Sequence, residues 1–370
     1  MSDLAELPYW LALRRAGLGS RNFALLLAHF KSIGAAWQAP PEAVARAGVD
    51  SQYQRAIAKA QREFRGEAEL EGLEKLGVRV YTWMDADFPP ALRDVRDSPP
   101  VLFVRGNGTL NYEQAVAVVG TRRVTPYGRQ AAEQFCEPLA RMGVTIVSGL
   151  ARGVDAIAHR VALENEAPTV AVLAGGIDRI YPREHQGLAE RIMGTGCLVS
   201  EYPIGIPARP DYFPRRNRIL SGLAKATLIV EAGDGSGALH TANWAFEQGR
   251  DVFAIPGSVF SRQSRGTNQL IRENTARLVG SPEQLCEELN LLNAGAQRPL
   301  PLAAPRNANP NPGTEPEEGK ILHLLGDQSL HVDEVTRMSG RSIAEVSALL
   351  QVMELKGLVR QEAPLTYRKN

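Results

Sequence analysis

The chain has 370 residues, 44% apolar and 22% charged, with a formal net charge of +1. This length and composition suit two or three soluble domains with sizeable cores, and the near-zero charge excludes a chain-wide polyanion-binding surface, so any such site is local. Cys136, Cys197 and Cys286 are far apart and make no C-x-x-C pair, which fits a reducing compartment and argues against a disulfide framework or a thiolate zinc site. The start carries no basic segment followed by an apolar run, and no stretch approaches the roughly 18 apolar residues of a membrane span. The expectation is a cytoplasmic protein that makes no contact with a membrane.

Residues 1–76 read as short helices. Leu11, Leu18, Leu25, Leu26, Leu27 and Phe30 recur at helical spacing, and Gly17, Gly19 and Gly34 punctuate them. The pattern suits a small domain of the sterile-alpha-motif or helix-hairpin-helix type. Packing or partner binding is favoured for it over direct DNA contact. Gly77–Pro100 is a connection with a short strand at Val78–Thr82, and Pro89, Pro90, Pro99 and Pro100 stop regular structure.

Through residues 77–292 the rhythm becomes strand, glycine turn, helix. Apolar runs end at Gly106, Gly120, Gly149, Gly176, Tyr202, Ala232 and Gly257. Strands this apolar are covered on both faces, so the fold class is α/β, a Rossmann-like doubly wound parallel sheet. Right-handed crossovers then gather the glycine turns on one sheet edge. Residues 293–314, rich in Pro, Asn and Ala, read as a flexible linker. Residues 315–370 read as a winged helix. It carries nine acids against seven bases, the wrong sign for phosphates, so a protein-interaction or structural role is favoured over DNA reading.

Four turns are candidate anion sites. Gly120-Thr121-Arg122-Arg123 offers a close backbone, a hydroxyl and a charge-assisted fork. Ser148 and Gly149 permit close approach, and Gly175 leaves room at the sheet edge. Gly235, Ser236 and Gly237, with Glu231 just before them, form an anion cradle at a helix start. Between these, Arg209–Lys225 holds five basic residues and one acid. Phe213 lies just before Arg215, Arg216, Asn217 and Arg218, separated from them by Pro214, and aromatic faces beside cations suit unstacked bases along a phosphate track. Asp155 and His159 lie one helical turn apart, where structural hydrogen bonding is favoured over a catalytic pair. Glu201 reads as a carboxylate accepting neighbouring amides rather than as a general base. P-loop, dinucleotide and zinc signatures are absent, so neither cofactor nor metal is expected.

Seven motifs follow in one order: A-V-V-G-T-R, I-V-S-G-L-A-R-G-V-D-A-I-A-H, V-A-V-L-A-G-G-I-D-R-I-Y-P, L-V-S-E-Y-P, F-P-R-R-N-R-I-L-S-G, E-A-G-D-G-S-G-A-L-H-T-A and V-F-A-I-P-G. In this they resemble the bacterial DNA-processing protein A family (DprA, also called Smf), over about Val78–Glu288. The resemblance implies a non-catalytic single-stranded-DNA-binding protein of natural transformation. Such proteins protect incoming strands, load the RecA recombinase, help displace single-strand-binding protein and act as homodimers. Carried over, the DNA contacts are Arg122, then Arg216, Asn217 and Arg218, then Ser236 and Gly237, with Ser148 and Gly149 nearby. Three departures stand out. Thr121 replaces the usual serine, His240 replaces an aliphatic residue, and Asn274 and Thr275 stand where a glycine helps end a helix. The competing reading is a nucleoside-monophosphate phosphoribohydrolase. It needs a glutamate just after the glycine-rich loop, and Glu247 is too distant.

Overall fold

Prolines and serines open several of the short helices that begin the chain. In the computed structural model these are α1 (Leu7–Arg15), α2 (Ser20–Phe30), α3 (Ile33–Gln38), α4 (Pro41–Arg46), α5 (Ser51–Glu63) and α6 (Gly66–Lys75). Residues 5–110, 112, 114–291, 316–325, 329–363 and 365–369 are described, and the linker expected at 293–314 lies outside them. The chain divides into two compact units, 1–298 and 299–370.

The first unit buries the apolar stripes of α1–α6. Trp10 stacks on Phe23 with ring centroids 5.1 Å apart. Both belong to a core that also contains Phe103, Leu173 and Leu198 of the sheet region. The boundary expected after residue 76 therefore falls inside one unit, with a continuous core across it.

That sheet comprises β1 (Val78–Thr82), β2 (Val101–Gly106), β3 (Ala115–Val119), β4 (Thr145–Ser148), β5 (Thr169–Val172), β6 (Cys197–Ser200), β7 (Ala226–Ile229), β8 (Asp251–Ala254) and β9 (Arg277–Leu278). Its order is β1-β2-β6-β5-β4-β3-β7-β8-β9. From β6 to β9 neighbouring strands are parallel. The intervening helices α8 (Pro126–Arg141), α9 (Val154–Glu164), α10 (Gln186–Thr195), α11 (Tyr212–Gly222), α12 (Gly237–Glu247), α13 (Arg265–Arg272) and α14 (Pro282–Glu288) cover its faces. The short α7 (Pro90–Arg93) lies between β1 and β2. Those two strands are antiparallel to each other, and β2 is antiparallel to β6. The sheet is thus not parallel throughout, because a proline-broken connection with a four-residue helix is no crossover unit. Gly106 consequently sits at the opposite edge from the other glycine turns.

The second unit is a winged helix. Helices α15 (Pro316–Leu325), α16 (Val332–Ser339) and α17 (Ile343–Leu355) pack around Val335, Val346 and Leu350. Strands β11 (Val359–Ala363) and β12 (Thr366–Lys369) form the antiparallel wing, and β10 (Leu330–His331) pairs with β12. Ser342 and Glu345 cap α17 reciprocally in a capping box.

Candidate nucleic-acid interface

The chain winds outward from β3 to β6, then returns to place β7 on the other side of β3. Loops leaving β3 and β7 therefore diverge, opening a crevice at the carboxyl ends of the strands, the usual ligand position in such sheets. A cleft of about 640 Å³ lies there. Gly120, Thr121, Arg122 and Arg123 line one side, and Gly235, Ser236 and Gly237 the other. Phe213, Arg216 and Asn217 from α11 close it, with Asp155 also on its wall.

Each side is built by local bonding. The amide of Thr121 donates to Glu231 O at 2.7 Å, and its hydroxyl accepts from Arg123 N at 3.1 Å, which fixes the turn and leaves Arg122 and Arg123 exposed. Arg122 lies over the Phe213 ring, 4.8 Å from its centroid. Ser236 caps α12 by accepting from Ala238 N, so the positive end of that helix faces the cleft. Asn217 Nδ2 donates to Gly237 O at 3.3 Å and ties α11 to this cradle.

The basic run is divided by the helix that carries it. Arg215 is exposed and is not part of the cleft lining. Arg216 is 4% exposed. It donates to Gly149 O at 2.9 Å and to Val172 O. Burial pushes its guanidinium down to about 10, although Asp155 favours the charge. Arg218 turns away from the cleft altogether. Its Nη1 and Nη2 grip Glu201 at 2.8 and 2.9 Å, and its Nε donates to Asp97 O at 2.8 Å. Arg14 of α1 completes the cluster, donating to Glu201 O at 2.8 Å and to Glu201 Oε2 at 3.2 Å. Burial raises the Glu201 carboxyl, but Arg218 and Arg14 outweigh it and hold it below the usual range.

Several expectations are corrected by this geometry. Arg218 is an ion-pair anchor, buried on the far side of α11 from the cleft. Glu201 accepts from two arginines rather than from amides. Glu231, expected in the cradle, is 1% exposed and accepts from Thr125 N at 2.9 Å and Thr125 Oγ1 at 2.6 Å, securing the start of α8. Ser148 is buried and donates to Val118 O at 2.7 Å, away from solvent. Gly175 packs under Ala208. The structural hydrogen bonding expected for Asp155 and His159 is found, though with separate partners: Asp155 accepts from Gly149 N at 3.1 Å and Ala151 N at 3.3 Å, while His159 bonds Thr169. Burial raises the Asp155 carboxyl, and Arg216 and these amides oppose it. Of the departures from the family pattern, His240 is exposed on the cleft wall, and Asn274 takes the left-handed φ of +55° that a glycine would supply. The cleft also contains Tyr181, Asp234 and Gln263. Tyr181 stands in a quoted motif, but its placement beside Phe213 depends on a loop remote in sequence. Among the described residues no group of three His, Cys, Asp or Glu is placed to hold a metal, and no helix is long and apolar enough to cross a membrane.

Residues 79–290 match the family described as DNA recombination-mediator protein A, and residues 304–363 match the DprA winged helix domain. The chain is 41% identical to Protein Smf of Escherichia coli over 283 residues, 74% of this chain and 73% of that one. It is 33% identical to Protein Smf of Synechocystis, covering 99% of each. Its structure resembles that of DNA processing protein A from Streptococcus pneumoniae, with TM-score 0.68 and 31% identity over 75% of this chain and 95% of the other. It also resembles DNA processing protein A from Helicobacter pylori, a structure described for its single-stranded DNA binding mode, with TM-score 0.52 and 29% identity over 59% and 97%. With its recombination-mediator core and winged helix both matched, the chain belongs to the DprA/Smf family of DNA-processing proteins.

Proposed function

We propose that this protein binds single-stranded DNA in the switch-point cleft without changing it covalently, and delivers the strand to RecA recombinase during natural transformation. The observation that carries the binding step is the Arg122–Phe213 stack facing the start of α12. A cation supplies the phosphate contact, the ring offers a face for an unstacked base, and the helix amides seat a further anionic oxygen. Bases in a duplex are already stacked and cannot reach the ring, so the cleft discriminates by strandedness. The similarity to the Helicobacter pylori protein supports the same ligand. Handing over to RecA, displacement of single-strand-binding protein and homodimer formation extend the proposal along the family resemblance.

The test is a salt titration of single-strand and duplex affinity. Single strands are expected to bind far more tightly, with log affinity falling by about 0.7 per log salt for each phosphate contact. Arg122→Ala is expected to weaken single-strand binding about tenfold or more without lowering thermal stability. Equal affinity for duplex, or release of free base from a nucleotide monophosphate, would overturn the reading.

A further inference from the structure

Two clefts of this unit share one residue. The second, of about 690 Å³, is lined by Asp178, Arg179, Tyr181, Arg183 and Gln186 together with the chain at Gly205, Pro207 and Ala208. Tyr181 is also part of the first cleft. Tyr181 is 52% exposed, and its ring meets Phe213 edge-on, with centroids 5.7 Å apart and planes at 63°. Arg122 covers Phe213 from the other cleft. Arg122, Phe213 and Tyr181 thus form a continuous ladder of cation and rings leading from one cleft to the next.

The second cleft has the charge to receive a backbone. Arg179 is held by Asp178 at 3.3 Å, and Asp178 is itself engaged by Gly205 N at 2.8 Å. Arg183 is exposed and makes no ion pair among the described residues. Two arginines against one aspartate leave this wall positive, and the free cation lies beyond the exposed ring.

We propose that the second cleft holds the continuation of the same DNA strand. A base stacks on Tyr181 at the ridge, and Arg183 pairs with the phosphate beyond it. The inference rests on the single-strand reading of the first cleft and extends that site past Phe213 and Tyr181 towards the loops after β5 and β6, away from the Gly/Ser cradle.

Binding of oligothymidylates of about 4 and about 12 nucleotides, lengths that span the site sizes of single-strand grooves, tests it in the full chain. For the longer strand, Tyr181→Ala is expected to weaken binding about tenfold, while Tyr181→Phe retains it. Arg183→Gln is expected to lower the salt slope for the longer strand by about 0.7, and to leave the shorter strand unaffected. Thermal melting of each variant should match the wild type, because both side chains are exposed. If Arg122→Ala weakens binding while Tyr181→Ala and Arg183→Gln leave the longer strand's affinity and salt slope unchanged, the second cleft is overturned and the first stands. If Arg122→Ala binds both strands like the wild type, the failure lies in the first cleft.

Discussion

Arg216 occupies the space that a side chain at position 149 would fill. Its Nη1 donates to Gly149 O at 2.9 Å, and a Cβ built on Gly149 would overlap the guanidinium. The glycine of the Ser148-Gly149 turn admits an arginine rather than a phosphate. Asp155 completes the arrangement by holding the Gly149 amide at 3.1 Å. Arg216 is therefore a pre-positioned part of the cleft floor.

Gly149→Ala is expected to displace Arg216 while the fold persists, because the obstructing atoms are the far end of a side chain. Overpacking of this kind costs about 1–3 kcal/mol. Single-strand affinity should fall about tenfold, the scale of a lost charged hydrogen bond. Urea midpoints and fluorescence anisotropy measure the two effects. Unchanged affinity would show that the floor position of Arg216 does not matter for binding.

Arg218 should behave differently from Arg122. Replacing it with leucine removes the bidentate partner of buried Glu201 and leaves Arg14 as its remaining ion pair, which should lower stability by no more than the about 3–5 kcal/mol of a fully broken buried pair. Affinity per folded molecule should stay near wild type. Chemical denaturation alongside active-site-normalised binding separates the two. A small stability change with a large loss of DNA affinity would return Arg218 to the DNA contacts.

His159 makes stability depend on pH. Thr169 Oγ1 donates to Ile146 O at 2.7 Å, so it accepts from Nδ1 of His159 at 2.7 Å, and buried Nε2 has no partner. Burial, followed by His185 and Arg216, pushes the imidazole down to about 3 from 6.5. Below 6.5 the unfolded chain gains a proton that the folded chain refuses. Stability is therefore full above that pH and declines as pH falls toward 3. At about 1.4 kcal/mol per unit, moving from pH 7 to about pH 5 should cost about 2 kcal/mol. His159→Gln should flatten this slope in urea titrations. Glu201 has the same sign in a lower window: its stabilisation is present above the unfolded value of 4.5 and is lost as pH drops through its depressed folded value.

Much of the fold was legible because its signals are local. The apolar runs ending at Gly120, Gly149 and Ala232 lie at or just past strands β3, β4 and β7, and the acid-rich end of the chain forms the expected winged helix. Phe213 and Arg122 were both visible as candidates, although their stacking was not. Arg218 was misread because sequence charge density does not reveal which side of a helix faces inward. Residues 216, 217 and 218 span most of a helical turn, and here all three are buried.

By itself the sequence determined the alternation of strand and helix, the glycine turns at the strand ends, and the identity of the family. These follow from periodicity, backbone sterics and motifs contained in short windows. Only the tertiary structure decided which charges meet. Arg14 reaches Glu201 across 187 positions, Glu231 secures Thr125 across 106, and Tyr181 meets Phe213 at the ridge between two clefts. Ion pairing and stacking act over a few ångströms in space, and the order of strands in the sheet sets which residues come within that range.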